Sequence, residues 1–477
     1  MSATCSAPAH DERPTKEAHV KQIKLGVFEF ATPKPTWAHP RATSHRYGEL
    51  DYWIEYAQKM DAAGFDFLLF ADGYGFTTVD GKLSDAAVKQ GFAGSDAMLM
   101  IPALAHATRD LGFVVTYPTG RDHPIQTARR FAALDQLTHG RIAWNIVTGA
   151  AQDSVASLFG DAVMVPHDER YRRAREYVDL ALKYWEGCWE DGAVVEDRES
   201  GMHADPAKLH RVEHEGTFYR SSGYLSVAPT PQRTPLLFQA GTSPAGKAFA
   251  AEYAECVLVQ AMSAEQVTEA VADIRARADA AGRDPARIKI VVGITVNVAP
   301  TREEALRLRS DYEALTSDED VATVYKHRTG IDLLGLDPDQ PLTQVPAELL
   351  KTELGQTNVD RFLPRDGESG PTVREILVEL KNPGFGMAGD PADIADRIEE
   401  LIDRTDLDGV LIRPVFGLQE VDAFAEFVMP ELRRRGRLPQ FPLEAASLRE
   451  RMLEAGPRIS DDHMGAPFRV ETAAAGH

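Results

Sequence analysis

The chain has 477 residues, of which 43% are hydrophobic and 26% are charged. This length suits one large barrel with insertions or two to three domains, and this composition argues against wholesale disorder. The net charge of −21 argues against nucleic acid and anionic membrane surfaces as partners, since both require concentrated lysine and arginine.

The cysteines and the chain ends bear on where the protein works. Cys5, Cys188 and Cys256 are far apart and match no zinc or disulfide spacing, which fits a reducing cytoplasm. No apolar run approaches the length of a membrane span, and the first twenty residues lack the apolar core of a signal peptide. We therefore predict a cytoplasmic protein with a flexible tail over residues 1–21, a C-terminal extension over 441–477 and a loose end from Gly456 onward.

Strands and helices alternate along the first part of the chain. The predicted strands are Lys24–Phe30, Phe65–Phe70, Leu111–Tyr117 and Arg141–Gly149. Helical patterns lie between them around residues 50–60, 98–108 and 125–134. The strands are continuous apolar runs, which is typical of parallel strands covered on both faces.

The alternation continues after a long predicted helix over residues 168–190. Four further strands are predicted at Pro235–Gln239, Cys256–Gln260, Lys289–Val298 and Gly409–Arg413. Residues 191–234 and 300–388 lack a clear repeat of this kind and are predicted to be insertions. Eight strand–helix units predict an α/β fold, a (β/α)8 TIM barrel with insertions over residues 22–440, with a doubly wound parallel sheet as the alternative.

A glycine turn after the fifth strand predicts an anion site. In the segment Ala240–Gly246, Ser243 occupies a helix N-cap position and Pro244 the first helical position. The free amide N–H groups of a helix N-terminus and the helix dipole favour a negatively charged ligand. An ordinary strand-to-helix corner would show the same residues, so a bound cofactor phosphate is a hypothesis at this point.

Other polar residues follow strands at the same predicted end of the barrel, where the active site of this fold lies. His167 and Tyr171 are four residues apart at the start of the helix after the fourth strand, so both can face the same opening. Taken singly, each of these residues could instead cap a helix, pack in the core or satisfy a loop amide. The strand-end residues are Glu29, Asp72, Thr116, Asn145, Thr148 and the turn Gly241-Thr242-Ser243.

Three weaker patterns in the sequence are given no cofactor-binding, metal-binding or catalytic role. Gly384–Gly389 matches the letters of a dinucleotide fingerprint but follows a helical pattern instead of a strand, so it is interpreted as a linker. Asp461-Asp462-His463 has no ligand partners nearby in sequence and is interpreted as solvated charge, so no metal site is predicted. A glycosidase-like acid pair stays possible, but nothing selects two carboxylates for it.

Six segments form a combination of motifs: Arg129–Asp135, Gly140–Thr148, His167–Tyr171, Gln239–Ser243, Thr329–Asp332 and Val428–Leu432. Together they resemble the bacterial-luciferase-like flavin monooxygenases. Within that family they resemble the branch that contains nitrilotriacetate, dibenzothiophene sulfone and long-chain alkane monooxygenases. The similarity extends over residues 22–440, and the family's (β/α)8 barrel with insertions agrees with the strand count.

The resemblance implies FMN, used as FMNH2, which a separate NAD(P)H:flavin reductase supplies. A family histidine near the substrate is matched by His327, which is the candidate catalytic residue. The family also implies a homodimer or higher homo-oligomer. Family positions that bind the flavin ring or its phosphate are matched by Asp72, Thr116, Asn145, His167, Tyr171, Gly241, Thr242 and Ser243.

The implied reaction is a two-component monooxygenation. FMNH2 reacts with O2 at ring carbon C4a to give a (hydro)peroxide, which transfers one oxygen atom to a small organic substrate. A histidine could assist proton movement, although His167 could equally orient the flavin. An F420-dependent oxidoreductase and a non-catalytic flavin carrier are the alternatives. The chain departs from the family at Gly120–His123 and Val415–Gly417, so the substrate is left open.

Overall fold

Eight parallel strands form the centre of the fold. The structure is a computed structural model that describes residues 20–74, 78–79, 82–83, 85–89, 92–149, 153–241, 243–261, 263–351, 356–363, 369–381, 385–440 and 446–470. The central strands are β1 (Lys24–Phe30), β2 (Phe67–Ala71), β3 (Gly112–Pro118), β4 (Ile142–Val147), β5 (Leu236–Gln239), β6 (Cys256–Val259), β7 (Lys289–Val298) and β8 (Gly409–Ile412).

The strands pair in chain order and the last strand returns to the first. In β8, Gly409 lies in register with Val291 of β7 on one side and with Lys24 of β1 on the other. All eight pairings are parallel, so the sheet is a closed barrel with no free edge between β1 and β8. The predicted (β/α)8 barrel is confirmed, and the alternative of an open doubly wound sheet is wrong.

Helices follow each strand and cover the outside of the barrel. Gly64 ends the first of them with a left-handed φ of 82°, a conformation that glycine adopts without strain. Among the described helices, none is long and apolar enough to cross a membrane. The covering helices are α1 (Leu50–Ala63), α2 (Ile101–Ala107), α3 (Pro124–Leu137), α4 (His167–Gly187), α5 (Pro244–Tyr253), α6 (Ala264–Ala280), α7 (Pro391–Thr405) and α8 (Leu418–Ala423, which continues through a π turn to Met429–Arg434).

Alternation along each strand divides the core into two layers. In β8, Val410 and Ile412 pack outward against the helices, whereas Leu411 points into the barrel with Val114 and Phe238. The same alternation decides which polar residues near the strand ends can reach the barrel opening. A shift of one residue along a strand would move each of these side chains to the opposite face of the sheet.

The predicted insertions contain small units of their own. Residues 191–234 include two antiparallel hairpins, Val194–Asp197 with Met202–Ala204 and Val212–Glu215 with Arg220–Gly223. The segment after β7 forms a second hydrophobic cluster around Tyr325 and Ile376. Its helices are Arg302–Leu315, Asp318–Thr329, Ala347–Leu350, Gln356–Asp360 and Val373–Lys381, and two further short helices, Asp85–Lys89 and Asp153–Leu158, lie in the loops after β2 and β4.

The glycine-rich segment interpreted as a linker contains a strand. Phe385–Gly389 pairs in parallel with Ile294–Val298, the second half of β7, while Gly384 lies outside the described residues. The first half of β7 pairs with β8, which ends at Ile412, so the rest of the long β7 strand would otherwise present unpaired backbone groups. The added strand satisfies them, and the linker interpretation is therefore wrong for residues 385–389.

The C-terminal segment packs across the amino-terminal end of the barrel, so the prediction of a loose end from Gly456 is wrong as far as residue 470. Leu448 and Met452 on the helix Leu448–Leu453 join the apolar residues inside the barrel. A Cβ atom at Gly112, the first residue of β3, would lie only 2.4 Å from Leu448 Cδ1. The open barrel end exposes an apolar interior, and this segment covers it.

His463 belongs to this cover and is not solvated charge. It is 1% exposed, and its Nε2 lies 2.8 Å from the carbonyl oxygen of Tyr253. Asp461, in contrast, is exposed and pairs with Arg469. A chain end with many charges looks solvated in sequence because the surface that receives it is formed by residues more than 200 positions away.

Candidate active site

Ser243 caps the helix that follows β5. Its hydroxyl oxygen accepts the amide N–H of Gly246 at 3.1 Å, and Pro244 occupies the first turn of α5. Serine is favoured here because its side chain satisfies one of the amides that a helix leaves without a partner. The predicted N-cap is therefore present, at the carboxyl end of a barrel strand.

Tyr171 packs into the same turn from α4. Tyr171 is 5% exposed, its hydroxyl lies beside the polar side chains of Ser243, Thr148 and Gln239, and burial raises the pKa of Tyr171. A Cβ atom at Gly241 would lie 2.5 Å from the Tyr171 hydroxyl oxygen. Glycine at this position is therefore what lets the tyrosine approach the backbone of the turn.

His167 lies one helical turn before Tyr171 and contacts Ser243 directly. Its Nε2 is 3.2 Å from Ser243 Oγ, and its ring centroid is 5.1 Å from that of Tyr171. Its Nδ1 lies 2.9 Å from the carboxylate of Asp168. If Nδ1–H donates to Asp168, Nε2 is left to accept the Ser243 hydroxyl proton, while a protonated ring would donate from both nitrogens.

Thr116 and Asn145 form a second polar pair inside the barrel. They lie in register on β3 and β4, and Asn145 Nδ2 donates to Thr116 Oγ1 at 2.9 Å. Both residues are buried, and by alternation with Val114 and Ala143 both point to the interior. The strand that carries Asn145 is followed directly by Thr148, which contacts Tyr171.

Asp72 follows β2 at the same end of the barrel. Its carboxylate accepts the Gly73 amide N–H at 2.7 Å, and burial raises its pKa, with the charge of Asp96 acting in the same direction. Thr242 lies outside the described residues, and so does the side chain of His327, although its backbone belongs to the helix Asp318–Thr329. That helix lies against Asp85–Lys89 in the loop after β2.

Glu29 points away from the barrel interior, contrary to its predicted place on the rim. It lies on the outward face of β1, where its carboxylate accepts the Tyr56 hydroxyl at 2.7 Å and pairs with Lys34 at 2.8 Å. Leu25 and Val27 share that face and pack against the helices. The strand was correctly predicted, but Glu29 falls on the face that alternation assigns to α1.

Two interior residues near the opening were not singled out from the sequence. Arg413 follows β8 and Asn297 lies near the end of β7, and both are on the faces whose earlier members point into the barrel. The guanidinium carbon of Arg413 lies 5.4 Å from the ring centroid of Phe28 on β1. An arginine directly after an apolar strand is the signal that could have identified this position.

The arrangement fits a phosphorylated, planar cofactor. The N-terminus of α5, the Ser243 hydroxyl and the His167 ring together present hydrogen-bonding groups of the kind that bind a phosphate. The Thr116–Asn145 pair offers a hydroxyl and an amide inside the barrel, where a ring system would be shielded from water. No group of three or more metal-ligating side chains occurs among the described residues.

Comparisons with known proteins agree with this geometry. The family model for luciferase-like monooxygenases matches residues 30–406. The chain is 35% identical over 460 residues to a dimethyl-sulfide monooxygenase of Hyphomicrobium sulfonivorans, covering 94% of each chain. It is 35% identical over 463 residues to a long-chain alkane monooxygenase of Geobacillus thermodenitrificans, covering 95% of this chain and 98% of the relative. A solved riboflavin lyase with modified FMN and riboflavin is 37% identical, with a TM-score of 0.87, covering 94% of this chain and 100% of that one.

Proposed function

The chain belongs to the luciferase-like monooxygenase family, and from this premise we propose that it oxygenates a small organic substrate with O2 and reduced FMN. In this proposal a separate NAD(P)H:flavin reductase supplies the FMNH2, as in a two-component system. The protein is an oxidoreductase, since its relatives are named monooxygenases.

The observation that carries the proposal is the contact between Ser243, His167 and Tyr171 at the N-terminus of α5. Three side chains from two helices meet a glycine turn at the end of β5. A helix N-terminus by itself is common, but a serine N-cap, an imidazole and a buried phenol on one turn form a specific polar surface. We assign this surface to the phosphate end of FMN.

The chain's residues would act by binding, orientation and exclusion of water. FMNH2, when bound, supplies the reactivity toward O2. Thr116 and Asn145 would orient the flavin ring through hydrogen bonds, and Asp72 would lie beside it at the end of β2. His167, or His327 from the insertion after β7, would hold or move a proton. Gly241 and Thr242 would contribute backbone and hydroxyl groups to the phosphate turn.

Membership of the family does not by itself identify the organic substrate. The relatives named above act on dimethyl sulfide, a long-chain alkane and riboflavin, which differ in size and polarity. Oxygen uptake with a flavin reductase, NADH and FMN should therefore be measured over thioethers, alkanes, aminopolycarboxylates and riboflavin. Uptake that depends on reductase and organic compound together, with formation of an oxygenated product, is the expected result.

A substitution at Ser243 tests the phosphate assignment. Aspartate caps a helix as well as serine does, so Ser243→Asp should keep the free energy of unfolding of the protein. It should weaken FMNH2 binding by about 100-fold or more, because like charges about 4 Å apart near a protein surface repel by about 4 kcal/mol. Anaerobic fluorescence titration with FMNH2 measures the affinity.

Ser263→Asp is the matched control. Ser263 caps α6 through the Gln266 amide in the same way, at the end of the neighbouring strand β6. Ser263→Asp adds the same charge at a helix N-cap outside the turn that Ser243, His167 and Tyr171 form, so FMNH2 affinity should stay within about threefold of wild type at physiological salt. Unchanged affinity in Ser243→Asp would refute the phosphate assignment, and tight binding of F420 in place of FMNH2 would favour the alternative oxidoreductase.

A further inference from the structure

Arg413 places a positive charge inside the barrel opening. Val410 and Ile412 of β8 point outward, Leu411 points inward, and Arg413 continues the inward face. Gly293 of β7 makes room for it, since a Cβ atom there would lie 2.9 Å from Arg413 Cδ. The Arg413 side chain is thus half-buried on the inward face of the barrel, with its guanidinium over the ring of Phe28.

Asn297, four residues after Gly293 on the inward face of β7, offers an incompletely bonded amide, and Phe28 and Phe30 offer aromatic surface. Asn297 is 5% exposed, and within the described part of the chain its Oδ1 has no hydrogen-bond partner. A buried amide oxygen left without a donor is costly, and a ligand that donates to it would remove that cost. Phe28 and Phe30 pack edge to face with ring centroids 5.3 Å apart, and Phe30 is 40% exposed.

This group of residues lies across the opening from the proposed flavin site. In the closed ring, β8 and β4 are four strands apart, so Arg413 and Asn145 are on opposite sides. Thr116, Asn145 and the Ser243 turn belong to β3, β4 and β5, whereas Phe28, Asn297 and Arg413 belong to or follow β1, β7 and β8. A flavin held on the first side leaves the second side to the organic substrate.

We propose that Arg413 and Asn297 bind a carboxylate-bearing substrate, with Arg413 pairing with the carboxylate and Asn297 accepting a hydrogen bond from a neighbouring O–H or N–H group. The apolar part of the substrate lies on Phe28 and Phe30. A guanidinium pairs with two carboxylate oxygens at once, and it does so most strongly where water is excluded. This inference rests on the proposed function and narrows its substrate class.

Equilibrium binding tests the subsite without turnover. The probes are 2-hydroxy-4-(methylthio)butanoate, which carries a hydroxyl beside its carboxylate, and the primary amide of the same compound. Isothermal titration of the full-length protein with no reductase present should show the acid binding at least about tenfold more tightly than the amide. In Arg413→Met this preference should disappear through a loss of acid binding, while amide binding stays within about twofold.

Three further variants test whether acid binding depends on the position and charge of this subsite. Asn297→Asp should abolish acid binding by repulsion, and Gly293→Ala should weaken it by displacing the Arg413 side chain. Arg434→Gln, on the outer helix Met429–Arg434 with its side chain 70% exposed, should keep the full preference for the acid. If acid and amide bind equally to the wild type, or if Arg413→Met weakens both equally, the subsite is refuted and Arg413 has a packing role.

Oxygen uptake separates this inference from the proposed function. Acid binding that depends on Arg413, with no reductase-dependent oxygen uptake, would refute the monooxygenase proposal and leave the subsite standing. Oxygenation of the acid with equal kcat/KM in wild type and Arg413→Met would refute the subsite and leave the monooxygenase proposal standing.

Discussion

Arg449 and Glu255 form a two-contact ion pair beneath the barrel, with both side chains buried. The Nε–Oε1 and Nη2–Oε2 distances are both 2.8 Å, and Arg449 also donates to the carbonyl oxygens of Thr234 and Pro457. Burial alone would raise the pKa of Glu255, but the charge and hydrogen bonds of Arg449 outweigh it and hold that pKa below its usual range. The pair joins the C-terminal segment to the residue that precedes β6.

Removing the Arg449 side chain should strongly destabilise the folded protein. Arg449→Met leaves the Glu255 carboxylate buried without its partner, so we expect a loss of about 3–5 kcal/mol in the free energy of unfolding, measured by urea denaturation. Arg449→Met combined with Glu255→Met should recover part of this loss, because no unpaired charge remains. Arg434→Met on the exposed outer surface is the control, and an equal loss there would contradict the assignment.

His463 should make the protein sensitive to acid. Burial, aided by the charge of Arg283, lowers its pKa to about 4, whereas an unfolded histidine titrates near 6.5. Between these values the unfolded chain binds a proton that the folded chain does not, so stability falls as the pH is lowered from 6.5 toward 4. His463→Gln should flatten this part of the curve by on the order of 1–3 kcal/mol, while His203→Gln in an exposed hairpin should not.

Glu420 should have the opposite effect. Burial raises its pKa to about 7, against the charge of Lys34 and the amide N–H groups of Phe416 and Gly417, which favour the ionised form. Between pH 4.5 and 7 the Glu420 carboxyl is therefore protonated in the folded state but ionised in the unfolded state. The free energy of unfolding falls as the pH rises through this range.

Thermal unfolding of Glu420→Gln across this pH range tests the assignment. The variant should lack the decline in stability that Glu420 gives the wild type between pH 4.5 and 7. Glu426→Gln, on an exposed part of the same helical segment, should retain it. Parallel curves for wild type and Glu420→Gln would show that Glu420 does not titrate in this range.

The Tyr171 hydroxyl should matter for flavin binding beyond its effect on stability. Tyr171→Phe keeps the ring but removes the hydroxyl that contacts Ser243, so FMNH2 affinity should fall by about tenfold, the cost of about one hydrogen bond. Tyr177→Phe on the same helix removes a buried hydroxyl that contacts Thr127 at 2.5 Å, away from the turn. It should lose comparable stability and keep its FMNH2 affinity. Equal effects of both variants on affinity would argue against a role for Tyr171.

The barrel was predictable because each strand is a short apolar run with turn residues at its ends. The helix caps were equally local, as Gly64 and Ser243 show. Which face a strand-end residue occupies was harder to predict, since Glu29 turns outward and Arg413 inward on the basis of register alone. The C-terminal cover could not be predicted, because Arg449 and His463 look solvated until their distant partners are known.

The closure of the ring between Lys24 and Gly409 has a consequence for synthesis on the ribosome. Until residue 409 has emerged, β1 keeps one edge without a partner, although β2 to β7 are already available. Between the end of β7 at Val298 and the start of β8 at Gly409, the nascent chain therefore carries a nearly complete but open sheet. Such an intermediate calls for chaperone protection, and heterologous expression should benefit from slow translation at low temperature.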